Sequence, residues 1–185
     1  MKQRAAVFLD RDGVLNGDVG YPHRLEDAIL FDDVVPALRR IQNAGYVLLV
    51  VSNQSGVARG LFTLNQVSRF NRAIAEQLHK ANIRITGKNF YVCPHGPRDE
   101  CSCRKPKPGL LLKAARQHKI DLERSFTIGD EETDIEAGRR AGTQTVLLDR
   151  AGKNRKTKAD LVASSLSEAA DLVQSRRGTL AGSFS

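Results

Sequence analysis

The stretch Ala5-Ala6-Val7-Phe8-Leu9-Asp10-Arg11-Asp12-Gly13 decides how the rest of the chain is read. A short apolar run ends on two carboxylates spaced by one residue, then on a glycine. The run has the length and composition of a buried strand. In an open α/β sheet, ligands gather at the carboxyl ends of strands, so Asp10 and Asp12 are expected at such a site. Residues i and i+2 of an extended segment project to one side; both acids can address one substrate. Gly13 lets the chain turn at once. Neighbouring carboxylates repel, and a cation is their natural neutraliser. The pattern points to magnesium-assisted phosphoryl transfer with an aspartate nucleophile. Two solvated acids in a turn are the plainer alternative, and the remaining residues choose between them.

At 185 residues, one α/β domain spanning 1–175 is expected, with ample length for a core. Hydrophobic content of 41% and charged content of 27% are those of an ordinary soluble globular protein. The longest apolar stretch, Tyr46 to Val51, is far too short to span a bilayer. Met-Lys-Gln-Arg leads directly into a strand without an apolar leader region, and cytoplasmic residence is the expectation. Net charge is +8, from 29 basic and 21 acidic side chains, and attracts anions. Part of the excess is local, in Lys153-Asn154-Arg155-Lys156-Thr157-Lys158 and Arg176-Arg177. There is no tryptophan and no interleaving of aromatic with basic residues, so the surplus reads as a solvated face with phosphate steering.

Strand and helix patterns alternate. Residues 4–9, 46–51, 88–92, 125–128 and 145–148 read as strands. Val34, Ala37, Leu38 and Ile41 mark a helix that Gly45 ends. Val67, Phe70, Ile74 and Leu78 form the stripe of a helix over 63–81, which Thr63 and Gln66 open as a capping box. Pro108 is placed in the first turn of a helix to Lys119. Glu131 to Ala141 is a helix stopped by Gly142, and 166–174 is the last. Such alternation means a parallel sheet with helices on both faces. Residues 176–185 have the composition of a mobile tail.

Every chemically loaded segment follows a strand. Ser52-Asn53-Gln54-Ser55-Gly56 offers a hydroxyl, an amide and turn N–H groups suited to phosphate oxygens, though Ser, Asn and Gly also favour plain turns. Arg104 and Lys105 stand before a helix start and could bind a phosphoryl group, or simply face solvent. Asp130 could ligate a hard cation, and Asp134, one turn on, could orient a ligand water or pair with Lys105. Both could equally be acids complementing a helix dipole. Four such strand ends on one rim would meet in one place.

Asp10-Arg11-Asp12-Gly13-Val14, Ser52-Asn53, Lys105 and Gly129-Asp130 with Asp134 resemble, in order and approximate spacing, the four motifs of the haloacid dehalogenase superfamily phosphatases. The resemblance implies a haloacid dehalogenase-like fold with a Rossmann-like parallel sheet flanked by helices, Asp10 as nucleophile forming an aspartyl-phosphate, and Asp12 as the acid and then the base. It also implies Mg²⁺ held by Asp10, Asp130 and the Asp12 backbone carbonyl, with Ser52, Arg104 and Lys105 balancing phosphoryl charge. Asp134 supports the set.

All three cysteines lie in Cys93-Pro94-His95 and Cys101-Ser102-Cys103. Three thiols and an imidazole make a complete tetrahedral zinc set. An odd count in a cytosolic chain disfavours a disulfide. With four protein ligands there is no place for a zinc-bound water, so the loop 93–103 reads as a structural clip leading into Arg104 and Lys105. This loop looks like that of the branch shared by heptose bisphosphate phosphatases and bacterial histidinol-phosphatases. Asn53 to Gly60 and Asp18 to Tyr21 resemble the heptose enzymes. That likeness implies hydrolysis of the 7-phosphate of a heptose 1,7-bisphosphate by a monomer, with no nucleic-acid or membrane partner. Substrate contacts would come from Arg11, Asp18, Val19, Gly20, Tyr21, Asn53, Gln54, Ser55 and Arg104, with Arg59 meeting the second phosphate. His23, in the same loop, is a further candidate. No insert is long enough for a separate cap domain, so loops 16–28 and 93–103 are expected to shape the pocket. Glu131 departs from the pattern: many relatives carry Lys or Arg there, which could touch a substrate phosphate, and an acid cannot. A histidinol-phosphatase, a nucleic-acid 3′-phosphatase, a phospho-accepting receiver and a non-catalytic scaffold are the competing readings.

Overall fold

The computed structural model describes residues 3–17, 20–152 and 156–181, with side chains through residue 176. The elements follow in the order β1 (Ala6–Leu9), α1 (Val34–Asn43), β2 (Val47–Asn53), α2 (Leu64–Lys80), β3 (Phe90–Cys93), α3 (Gly109–His118), β4 (Phe126–Gly129), α4 (Glu132–Ala141), β5 (Gln144–Leu148), β6 (Leu161–Ala163) and α5 (Leu166–Ala181). Among the described residues the strands form one six-stranded sheet, ordered β3-β2-β1-β4-β5-β6. Every described pairing is parallel.

Both faces of the sheet are covered, and β1 shows how its sequence serves both. Val7 and Leu9 join the core under α1, α2 and α5. Ala6 and Phe8 join the core under α3 and α4. A strand buried on both sides has no polar face, which is why β1 and β2 read as continuous apolar runs rather than alternating ones. Burying a phenylalanine such as Phe8 stabilises by roughly 1.5–3 kcal/mol.

The helix signals mostly hold. Thr63 caps α2: its Oγ1 accepts from Gln66 N, and Gln66 Oε1 accepts from Thr63 N at 2.8 Å. Gly142 ends α4 in the left-handed region. Pro108 stands one position before the first turn, as the cap of α3. The reading that closes the last helix at 174 is corrected, since α5 runs to Ala181 and takes in the first residues of the expected tail, 176–185. Residues 182–185 lie outside the described residues, as do Lys153, Asn154 and Arg155 of the basic run. The short β6 carries no sequence signal, because three residues are too few to show a period. Among the described residues no second domain is inserted between the strands. None of their helices is long and apolar enough to cross a membrane.

Candidate active site

The strand order reverses between β1 and β4, the switch point where open α/β sheets bind ligands. Leu9 is registered with Ile128, and Asp10 N donates to Ile128 O at 2.9 Å. Asp10 and Asp130, each just past its strand, are thereby brought side by side. Ala6 and Phe8 face α3 and α4, and the two-residue period carries Asp10 to that same side. There it meets Lys105, from the loop before α3, and Asp134, on α4.

Lys105 is the hub. Its Nζ donates to Asp10 Oδ1 at 2.6 Å and to Val51 O at 2.8 Å, and pairs with Asp134 Oδ1 at 2.6 Å. The side chain is 4% exposed. Burial alone would lower its pKa, but Asp10 and Asp134 outweigh that and hold it above the ordinary lysine range, fully charged. Asn53 fixes the backbone here: its Oδ1 accepts from Lys105 N at 3.0 Å and its Nδ2 donates to Lys105 O at 3.1 Å.

Asp12 is seated by four donors. Arg11 Nε and Asn16 Nδ2 reach Oδ1, each at 2.9 Å. Arg11 Nη2 and Gln54 Nε2 reach Oδ2, each at 2.8 Å. Gly13 follows at φ +81°, and a Cβ there would stand 2.1 Å from Asp130 Oδ2. At Gly129 a Cβ would meet the Asp134 side chain at 2.2 Å. Both glycines let carboxylates close on one point.

Asp10, Asp130 and Asp134 each offer an oxygen within 4.8 Å of the others. Three carboxylates against the single Lys105 leave an excess of two negative charges. Burial, opposed by Lys105 and reinforced by Asp134 and Asp12, pushes Asp10 up to about 8. Burial and Asp134 push Asp130 up to about 7. A hard divalent cation would relieve this, and Asp10 and Asp130 could ligate magnesium through oxygen while Asp134 stays paired with Lys105. The donor set fits that ion.

The cleft above these groups holds ≈ 410 Å³. Its wall includes Asp10, Asp12, Lys105, Asp130 and Asp134, with Gly20, Tyr21, Pro22, Asn53, Gln54, Glu131 and Thr133. Loop 16–28 therefore contributes, but the 93–103 loop supplies no residue of the wall. Asp18 and Val19 lie outside the described residues. Ser52 sits behind the wall, its Oγ accepting from Gln54 Nε2 at 2.6 Å. Ser55 is also buried behind it. Arg104 Nη1 turns to His95 O at 3.2 Å. Arg59 stands at the rim, 5.5 Å from the Tyr21 ring centre. His23 stacks on Phe62 with ring centres 4.7 Å apart and holds Tyr21 O through Nδ1 at 2.8 Å, shaping the loop.

Arg11 requires a correction. The resemblance puts it among the substrate contacts, but its side chain is 0% exposed. Its guanidinium lies 4.3 Å from the Phe70 ring centre and donates to Asn71 Oδ1 at 2.9 Å and Pro22 O at 3.1 Å. A group with no surface in the cleft cannot touch a ligand there. Asn16 and Asn71, which also build the site, were legible only as polar residues beside apolar ones.

The second cluster joins Cys93 at the end of β3 to His95, Cys101 and Cys103, and all three thiols are free of disulfides. Cys93 Sγ lies 3.2 Å from Cys103 Sγ, 3.8 Å from Cys101 Sγ and 3.6 Å from His95 Nδ1. Tetrahedral zinc with sulfur and nitrogen ligands needs donor separations of about 3.5–3.8 Å; Cys101 and His95 stand at that range from Cys93, and Cys103 would open by a few tenths of an ångström from its 3.2 Å contacts with Cys93 and His95. The set fits that ion. Burial pushes the Cys93 thiol up to about 12. Burial also raises Cys101, but the backbone amides of Arg104 and Cys103 overcome it and bring that thiol down to about 7.

Residues 102–173 match the HAD-hydrolase-like family model. The chain is 41% identical over 148 residues to the D-glycero-beta-D-manno-heptose-1,7-bisphosphate 7-phosphatase of Helicobacter pylori, covering 80% of this chain and 85% of that protein. It is 39% identical to the enzyme of that name from Photorhabdus laumondii, covering 94% and 95%. The crystal structure of D,D-heptose 1,7-bisphosphate phosphatase from B. bronchiseptica, complexed with magnesium and phosphate, superposes with a TM-score of 0.81 at 28% identity, covering 93% of this chain and 99% of that one. Likeness of that extent is kinship: the chain belongs to the D-glycero-β-D-manno-heptose 1,7-bisphosphate 7-phosphatase family of haloacid dehalogenase-like hydrolases.

Proposed function

We propose that this chain removes the 7-phosphate of D-glycero-β-D-manno-heptose 1,7-bisphosphate. The carrying observation is the cleft in which Asp10, Asp12 and Lys105 converge with Asp130 and Asp134. Lys105 holds Oδ1 of Asp10, which leaves the other oxygen to attack phosphorus. The bond to the sugar O7 breaks, and Asp12 gives that oxygen its proton. Asp12 then takes a proton from the water that attacks the aspartyl-phosphate, releasing phosphate and restoring Asp10. Lys105 balances charge on the phosphoryl oxygens, and Ser52, behind the wall, steadies the Gln54 amide beside it. Magnesium, bound by Asp10, Asp130 and the Asp12 backbone carbonyl, would supply the charge neutralisation that lets one anion approach another. Asp134 keeps Lys105 in place.

Glu131 faces the same cleft from the start of α4 and would repel a second phosphate on that side. The 1-phosphate is therefore assigned to the opposite rim, by Tyr21 and Arg59, and Arg104 serves the substrate through the loop it braces. Zinc on Cys93, His95, Cys101 and Cys103 would fix the segment that delivers Lys105. A cytosolic monomer suits a thiol-rich site and a diffusible sugar bisphosphate. A panel of heptose 1,7-bisphosphate, other sugar bisphosphates, histidinol phosphate and a 3′-phosphorylated oligonucleotide tests the reading by phosphate release. The highest kcat/KM is expected on the heptose 1,7-bisphosphate, with the 1-phosphate retained in the product. Faster turnover of histidinol phosphate or the oligonucleotide would overturn the substrate.

A further inference from the structure

We infer that Arg11 is a positioning residue: through a buried fork it fixes the carboxylate of Asp12, and so couples proton transfer to α2 and to the substrate loop. The inference rests on the reading above and deepens it. Arg11 is wholly buried, yet four of its five N–H donors are engaged. Two grip Asp12 side by side, at 2.9 Å from Nε and 2.8 Å from Nη2. Such bidentate pairs fix geometry as well as distance. The others tie the guanidinium to Asn71 on α2 and to the carbonyl of Pro22, and Phe70 closes one face. Nη2 is shared between Asp12 Oδ2 and Pro22 O, so the loop that walls the cleft and the group that would move the proton hang on one nitrogen.

The four donors on Asp12 are not equivalent. Gln54 Nε2 has a second acceptor, Ser52 Oγ, at 2.6 Å, and can release Asp12 without being left unsatisfied. Arg11 is buried with its other donors already committed, and releasing Asp12 would strand a charge in the core. Gln54 is thus the donor that yields Oδ2 to the leaving oxygen, and Arg11 the one that stays.

Leaving-group dependence separates positioning from simple structural support. A p-nitrophenolate leaves without a proton, so forming the aspartyl-phosphate from p-nitrophenyl phosphate does not need Asp12 as acid. Breaking that intermediate down still needs Asp12 as base. For R11K, kcat on the heptose bisphosphate is expected to fall about 10–100-fold, a fraction of the 10²–10⁴ that a whole acid–base contributes, with KM changed less than about threefold. On p-nitrophenyl phosphate a burst of one nitrophenolate per enzyme is expected, with phosphorylated Asp10 trapped by acid quench. N71S, which removes only the Asn71 acceptor, is expected to show the same pattern more weakly and decides alone if R11K does not fold. Equal losses on both substrates without a burst, a loss confined to KM, or wild-type rates in the folded variant would overturn the inference. If the wild-type enzyme turns over neither substrate, it is the phosphatase reading that fails.

Discussion

Among the described residues, metal-ligand types gather at two places, and the two are built differently. The carboxylate cluster is hung on the frame. Asp10 and Asp130 follow the central strands β1 and β4, Asp134 lies in α4, and sheet hydrogen bonds and the clasp of Asn53 on Lys105 hold the set. The thiol cluster takes one ligand from β3, which lies at the edge of the sheet, and three from a segment without regular structure. That segment is tied back by few contacts of its own, such as Gly96 N on Asp99 Oδ2 at 2.7 Å and Lys107 Nζ on Cys101 O at 2.6 Å. On the proposed metal assignments, the first site is set by its frame, whereas the second leans on its cation for shape. Losing the hard metal should change chemistry and charge. Losing the soft one should change local structure.

The hardest blow to the frame-built site is Asp10→Asn. It replaces the nucleophile with a group of the same shape, so the sheet and its core are untouched. Hydrolysis of the heptose bisphosphate is expected to drop by about 10⁴-fold or more, with the far-UV circular dichroism unchanged. Activity near wild type in the folded variant would remove Asp10 from its role.

Stripping zinc is expected to hit the loop-built site instead. Metal analysis should find one zinc per chain before treatment. After chelation, amide exchange should rise across 93–105 while the sheet stays protected, and kcat should fall about 10–100-fold, as when a supporting metal shell is lost. A zinc-free enzyme of full activity would erase the contrast.

This difference also explains what could be read without coordinates. The frame was legible because β1 and β2 are continuous apolar runs, and the acids follow them in register-determined positions. The clustering of Cys93, His95, Cys101 and Cys103 was legible because they are close in sequence. The role of Arg11 was not, since a basic residue between two catalytic acids reads naturally as a phosphate ligand. Only the depth of α2, which presents Asn71 and Phe70, shows that it faces inward. Likewise Asn53 reads as a turn residue, but both ends of its amide are spent on Lys105, a partner far along the chain.

Charge should show the frame-built site waiting for its cation. Asp10 is raised to about 8 and Asp130 to about 7, each above the 3.8 of an exposed aspartate, chiefly by burial. A carboxyl with a raised folded pKa binds protons longer in the folded state. Its contribution is full below the unfolded pKa and is lost as pH rises through the folded one. Metal-free protein should therefore lose thermal stability steadily between about pH 4 and pH 8. Magnesium at 100 times its Kd should restore about 2.7 kcal/mol, or roughly 5–10 °C in Tm, with the largest gain at the alkaline end. A Tm indifferent to magnesium at pH 8 would mean that the carboxylates are not strained together.

The smallest expected effect lies behind the same site, where Arg150 clamps the turn that follows Asp12. Its guanidinium donates to Gly13 O and Val14 O at 3.3 and 3.2 Å and takes both oxygens of Asp33, at 2.9 and 3.0 Å. Asp33 also accepts from Leu166 N at 2.7 Å, so one carboxylate joins the catalytic turn to α5. Burial by itself would raise Asp33, but the Arg150 hydrogen bonds and those from the Leu166 and Ser167 amides prevail and lower it. Its stabilisation is then complete above the unfolded value of 3.8 and disappears as pH falls through the lower folded one. Asp33→Asn keeps the shape and one acceptor while removing the charge. It should cost about 1 kcal/mol at pH 7, or roughly 2–4 °C in Tm, and that cost should fade as the pH falls through the lowered folded pKa and the wild-type carboxyl becomes neutral. If the site is held by its frame, kcat should decline along with that small drop in Tm, because the turn loosens before the sheet does. A change confined to Tm would mean that the turn behind Asp12 holds its own shape, and that the frame extends no further than the strands.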